Sequence, residues 1–378
     1  MEHLTDFTIH NFKRFKQLSL EDIGQFNLIV GDNNVGKTSV LEALLFNTNI
    51  IGYERVLAAI LAEKGIFIER SKGRNYTNFL TLFFNNLTGI EQFSFDYKVL
   101  GDNSVKIFDF KIVRGGEENL SEKDRTALIK KNKEYVFGGR YGAGSYDRDL
   151  SVRYNNGELF FISPIEDHLK DSPTTYLDYI PFSKSYNSDL VRFYSEHIQR
   201  NKIAKNEFIK NLSSFIPNIE GIELTTRLRG DALDIEIGEK GINTLSPLMM
   251  YGDGAIKLVR ILLQIAVAKG KRLMIDEIDT GIHYSRFKEF WKIILQAAKN
   301  YNVQLFATTH NWDCLNYYKE ALEELTDEFR EQSRVFTLME LPDKSVKAYN
   351  HKFKNFEFAI DGGIEIRGGN NGLIYQHS

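Results

Sequence analysis

Apolar positions alternate with polar ones in Leu4-Thr5-Asp6-Phe7-Thr8-Ile9 and in Leu18-Ser19-Leu20, which predicts a strand pair joined through Asn11-Phe12-Lys13-Arg14-Phe15. The same alternation runs through Phe93-Ser94-Phe95-Asp96-Tyr97-Lys98-Val99 and Val105-Lys106-Ile107-Phe108-Asp109-Phe110-Lys111, and Gly101-Asp102-Asn103 between them predicts a hairpin. Three runs are apolar almost throughout and read as further strands: Phe26-Asn27-Leu28-Ile29-Val30, Leu273-Met274-Ile275, and Val303-Gln304-Leu305-Phe306-Ala307. A second hairpin is expected from Val335–Leu341 and Ser345–Tyr349, and a short strand from Leu159–Ile162. Helical spacing follows Ser39 in Val40-Leu41-Glu42-Ala43-Leu44-Leu45, is mixed from Asn47 to Thr88, and returns at Leu190, Phe193, Ile198, Ile203, Phe208 and Leu212. Residues 115–156 are polar and weakly patterned, and Gly138–Gly144 reads as a turn. No heptad repeat is sustained, so long coiled-coil arms are not expected.

Between the strand ending at Val30 and the helix beginning near Ser39 lies Gly31-Asp32-Asn33-Asn34-Val35-Gly36-Lys37-Thr38, a complete P-loop. Its glycines let the backbone wrap a phosphate, so that successive N–H groups and the helix N-terminus face negative charge. Lys37 is placed to reach β- and γ-phosphates, and the Thr38 hydroxyl to ligate Mg²⁺. Far downstream, the apolar strand from Arg272 ends in Asp276-Glu277, the Walker B arrangement. Asp276 would support the Mg²⁺, and Glu277, pointing the other way, would polarise the water that attacks the γ-phosphate. No Asn-Lys-x-Asp motif is present to read guanine, so the nucleotide expected is ATP.

Composition narrows this only a little. A chain of 378 residues, 42% hydrophobic, can bury two or three lobes. The net charge of −3 writes no general nucleic-acid surface into the chain, although a local basic groove is compatible with it. The basic turn at Glu69–Asn75 and the lysines of 123–133 read as solvated surface. A single cysteine, Cys314, excludes an internal disulfide and reads as a packing residue. The opening residues lack a leader-like pattern and no run is apolar enough to span a bilayer, so a cytoplasmic protein away from membranes is expected.

Ile9-His10-Asn11-Phe12-Lys13-Arg14-Phe15, followed by Asn27 to Thr38, resembles the opening of ABC-type ATPase heads of the SMC, RecF and OLD group. The fold this implies is an α/β P-loop head: a mixed central sheet, an antiparallel β subdomain and an inserted helical subdomain. The expected division is 1–112, an N-terminal ATPase lobe; 113–215, an inserted lateral or arm subdomain; and 216–378, a C-terminal ATPase lobe. In that group a cation of the first hairpin approaches the phosphates, which here implies Lys13, with Arg14 as its rival. The resemblance makes His310, after Thr308-Thr309, a switch histidine on the γ-phosphate, and Asp279 a D-loop residue at a dimer interface. Pro247-Leu248-Met249-Met250-Tyr251-Gly252-Asp253-Gly254 occupies the place of the signature that caps the partner's γ-phosphate. Its serine is missing, which leaves the backbone N–H groups of Gly252 and Gly254, and no Q-loop residue is identifiable. Phe356–Arg367 resembles the tail of stand-alone OLD-like AAA ATPases, without the nuclease domain that full OLD proteins carry. The resemblance implies a slow ATPase forming a homodimer or higher homo-oligomer, working with a separately encoded effector, commonly a nuclease, in defence against phage or plasmids. A RecF-like ATPase binding duplex DNA, or a scaffold that senses ATP with little hydrolysis, remains open on the residues.

Overall fold

The computed structural model describes residues 3–46, 92–114, 148–154, 158–162, 178–181, 189–226 and 233–368, with residues 56, 60, 64 and 83 as isolated positions. The helical reading of 47–88, the basic turn within it, the lysines of 123–133 and the glycine-rich turn at 138–144 lie outside those residues.

The alternating runs build an antiparallel sheet. Strands β1 (Leu4–Phe12) and β2 (Phe15–Leu20) form the expected hairpin. Beside β1 lies β4 (Gln92–Val99), then β5 (Asp102–Arg114), β6 (Arg148–Tyr154) and β7 (Glu158–Ile162), in the order β2-β1-β4-β5-β6-β7. Strand β6 falls in the stretch read as weakly patterned. Only Leu150, Val152 and Tyr154 alternate there, among charged neighbours, too short a signal to stand out.

The apolar runs build a second, mixed sheet of order β15-β14-β3-β13-β12-β8. Its parallel strands are β3 (Phe26–Gly31), β8 (Tyr179–Ile180), β12 (Arg272–Ile275), β13 (Gln304–Thr308) and β14 (Ser333–Glu340); β15 (Val346–Lys352) is antiparallel at one edge. A small third sheet joins β9 (Ile219–Thr226), β10 (Leu233–Glu239) and β11 (Ser246–Pro247). The antiparallel subdomain and mixed central sheet expected from sequence are both present.

The central sheet is buried on both faces, which is why its strands read as continuous apolar runs. Ile29, Met274, Phe306 and Phe336 face helix α1 (Lys37–Phe46) and the antiparallel sheet. Leu28, Val30, Leu273, Ile275, Leu305, Ala307 and Val335 face the remaining helices. These are α2 (Asp189–Phe193), continued by a π-helical turn to Gln199; α3 (Lys202–Leu212); α4 (Asp253–Val267); α5 (Phe287–Asn300); α6 (Trp312–Glu324); α7 (Asp327–Glu331); and α8 (Phe353–Asp361). Asn201 and Asn311 cap α3 and α6, each accepting from two backbone N–H groups. Cys314 is fully buried. Among the described residues no helix is long and apolar enough to cross a membrane.

One side chain ties the two large sheets together. Gln304, fully buried, accepts from Leu4 N at 2.9 Å and donates to Leu4 O and Gly24 O, each at 2.8 Å. Gln304→Leu leaves one backbone N–H and two carbonyls without those partners, and is expected to cost about 2–4 kcal/mol in urea unfolding.

A second expectation concerns acid. The Thr337 hydroxyl donates its one proton to Ile366 O at 2.6 Å, so at 3.1 Å from His351 Nε2 it accepts. Burial pushes His351 from its ordinary 6.5 down to about 4. The unfolded chain therefore takes up this proton first, and stability falls as pH drops from 6.5 towards 4. Between pH 7 and pH 5 this residue is expected to account for about 2 kcal/mol of the loss, removed in His351→Gln, as read by urea unfolding at both pH values.

Candidate nucleotide site

The P-loop follows β3 directly. Gly31 has φ +154°, and a Cβ there would lie 2.7 Å from Leu338 O; Gly36 has φ +108°, and a Cβ would lie 2.5 Å from the Phe15 ring. Both positions need glycine, since the loop is closed between β14 on one side and the β1–β2 hairpin on the other. Val35 is buried, while Asp32, Asn33 and Asn34 are exposed on the rim and Ser39 is half-buried in the first turn of α1. Lys37 folds back into the loop, its Nζ donating to Gly31 O at 2.8 Å and Asp32 O at 2.9 Å. Burial lowers its pKa, opposed by the charges of Glu277, Asp276 and Asp32.

Sheet order brings the distant acids to this loop. β13 lies between β3 and β12, with Ala307 in register with both Leu28 and Ile275. The strand that ends at Thr308, two residues before His310, thus separates the P-loop strand from the Walker B strand. Thr38 Oγ1 donates to Asp276 Oδ2 at 2.8 Å, and Thr308 Oγ1 donates to Asp276 Oδ1 at 2.6 Å. The same Thr308 hydroxyl accepts from Glu277 N at 2.8 Å. Glu277 adopts φ +44°, a conformation unfavourable for a residue with a side chain, where the chain leaves β12. Its carboxylate lies 3.7 Å from His310 Nδ1, and both side chains reach solvent. Thr309 donates to Asp279 Oδ1 at 2.7 Å, so adjacent threonines hold acids on either side of the Glu277 turn.

Residues 148–313 match the family described as "AAA domain, putative AbiEii toxin, Type IV TA system". That stretch, which includes β12 and β13 with the acids and Thr308, is similar to an AAA-type domain. Over 93% of its length it is 23% identical to a Helicobacter pylori protein named "ATP/GTP phosphatase", covering 96% of that protein. A stretch of 42 residues, 11% of the chain, is 48% identical to the "DNA replication and repair protein RecF" of Xanthomonas oryzae pv. oryzae, covering 12% of that protein. Among solved structures, an SMC head bound to the C-winged helix domain of ScpA aligns over 93% of this chain and 99% of that one, with 13% identity and a TM-score of 0.47.

One expectation about the phosphate loop needs correction. Lys13 does not face the phosphate loop. It is paired with Glu42 of α1 and packs over the rings of Phe12 and Phe83. Arg14 is the hairpin cation on the loop, donating to Asn34 O and pairing with Glu340. Lys13 and Asn11 both have positive φ, so the turn sends consecutive side chains in different directions. Asp279 is buried and accepts from Thr309 of its own chain. Gly252 caps α4 and is exposed, with Asp253 exposed beside it, whereas Gly254 backs onto Gly281 O, 3.3 Å from where a Cβ would sit.

Among the described residues no cluster of three His, Cys, Asp or Glu side chains could hold a metal alone. Thr38 and Asp276 instead present two hard oxygen donors side by side, the partial set with which Mg²⁺ binds jointly with a nucleotide's phosphates. Thr308 and Thr309 carry no motif signal of their own as ligands; their roles emerge only once β13 is known to lie beside β12. Thr308→Val keeps the shape and removes the hydroxyl that links Asp276 to the Glu277 backbone. Turnover is expected to fall about 10–100-fold in a coupled ATPase assay, with the fold retained by circular dichroism.

Proposed function

We propose that the chain is an ATP- and Mg²⁺-dependent ATPase that closes head-to-tail with a second copy around two nucleotides and drives a separately encoded effector. The observation that carries this reading is the continuous hydrogen-bonded path Thr38–Asp276–Thr308–Glu277, which ties the phosphate loop to both acids. Lys37, held among the described residues by two loop carbonyls, is available to the β- and γ-phosphates. Thr38 and Asp276 would hold Mg²⁺, which screens phosphate charge when bound. Glu277 is the base: it accepts a proton from the water whose oxygen attacks the γ-phosphorus as the bond to the ADP oxygen breaks. His310, against the Glu277 carboxylate, reads the γ-phosphate.

Closure with a second copy is supported by the surface around the glycine turn. Met249 is 54% and Met250 77% exposed immediately before it, with Ile242, Leu245 and Tyr284 exposed on neighbouring loops. Apolar side chains flanking a phosphate-binding turn suit a surface covered when nucleotide is sandwiched. The matched family's description, a putative AbiEii toxin of a type IV TA system, supports a place in defence systems, and the nuclease as effector class rests on the OLD-like resemblance of the sequence. A RecF-like reading rests on the short local match and predicts ATP-dependent, salt-sensitive duplex binding.

Specific ATPase activity is expected to rise with protein concentration, and Glu277→Gln to lower it at least about 100-fold while ATP still binds. Turnover independent of concentration would remove the composite site, and ATP binding with no turnover above the mutant would leave the scaffold reading.

A further inference from the structure

Lys257 lies on α4, just beyond the glycine turn, and none of the chemistry above uses it. Its side chain is wholly buried, and among the described residues no acceptor lies within hydrogen-bond reach of its Nζ. One turn further along the same helix, Arg260 is also buried, but Asp189 grips its guanidinium at 2.7 and 2.9 Å. That is how this fold treats a buried cation whose task is structural. An ammonium left without such a partner costs several kcal/mol, and methionine would fill the space at no such cost.

The charges acting on Lys257 identify its surroundings. They are the carboxylates of Asp279, Asp276 and Glu277, in decreasing order of effect, opposed by Arg260. Burial lowers its pKa to about 8, and the three acids keep it from falling further. The ammonium form is therefore the main one at neutral pH. Backbone contact runs parallel to this attraction, since Gly254 in the first turn of α4 backs onto Gly281 at the end of the acid-bearing turn.

We infer that Lys257 is a positioning residue that couples the glycine turn at the start of α4 to the acids Asp276, Glu277 and Asp279 of the same subunit. This rests on the composite-site reading above. In a closed pair the glycine turn meets the other copy's nucleotide, whereas the acids serve their own. A phosphate drawing on the start of α4 moves the Lys257 charge relative to Asp276 and Glu277. Occupancy of one site is thereby felt at the other.

The test compares Lys257→Met and Lys257→Arg with the unaltered chain. Three readings are taken: thermal unfolding, the Mg²⁺ concentration that half-saturates binding of a fluorescent ATP analogue, and the ATP dependence of turnover. Lys257→Met removes a buried charge, so its unfolding midpoint is expected to be equal or higher. With the cation gone, the acids attract Mg²⁺ more strongly, and the half-saturating concentration is expected to fall about tenfold. Turnover is expected to fall about tenfold and its Hill coefficient to drop to one, with Lys257→Arg restoring both. A packing residue would lower stability and weaken Mg²⁺ binding together. Unchanged Mg²⁺ response and turnover in Lys257→Met overturn the inference. If the unaltered chain shows no turnover, the ATPase reading fails, and the Mg²⁺ response alone then decides for or against Lys257.

Discussion

Asp276 accepts hydrogen bonds from Thr38 of α1 and Thr308 of β13 while standing at the end of β12, so one carboxylate joins three elements drawn from distant parts of the chain. Charge at this place is tolerated because both of its oxygens accept hydrogen bonds. Remove those donors and a nearly buried anion would stand at the edge of an apolar sheet. The positive φ of Glu277 belongs to the same constraint. With Asp276 held on one side and Asp279 held by Thr309 on the other, the chain must turn sharply between them, and the Glu277 backbone absorbs the bend.

The central sheet keeps two apolar cores apart, one against α1 and the antiparallel sheet, the other against the remaining helices. Polar chemistry is left to the carboxyl ends of β3, β12 and β13, the place where parallel α/β sheets present their loops. Because side chains on both faces are packed, these three strand ends have little freedom relative to one another. The P-loop, Asp276 and Glu277 are thereby kept in fixed relation by burial that has no part in the chemistry.

What could be read directly from the sequence was local. The P-loop, the two acids after Ile275 and the histidine after Thr309 are each contiguous, and each lies at the end of an apolar strand, so pattern and chemistry agree. The alternating runs gave the antiparallel sheet because half-buried strands advertise their period. What could not be read depends on neighbours distant in the chain. Thr308 and Thr309 matter because β13 lies against β12, and the choice of Arg14 over Lys13 depends on the backbone of one turn. Strand β8, two residues long, has no periodicity to detect and is fixed only by pairing with Met274 and Ile275.

Strand β3 carries the phosphate loop, yet its neighbours in the sheet are β13 and β14, supplied by residues 304–308 and 333–340. On a ribosome the loop's own residues emerge long before the strands that flank it. The loop therefore waits for residues 304–340 before its glycines can be closed in. A truncated product ending before β13 would contain every residue of the P-loop and still lack the strands that close it, so nucleotide capture would report that β13 and β14 have been made and paired.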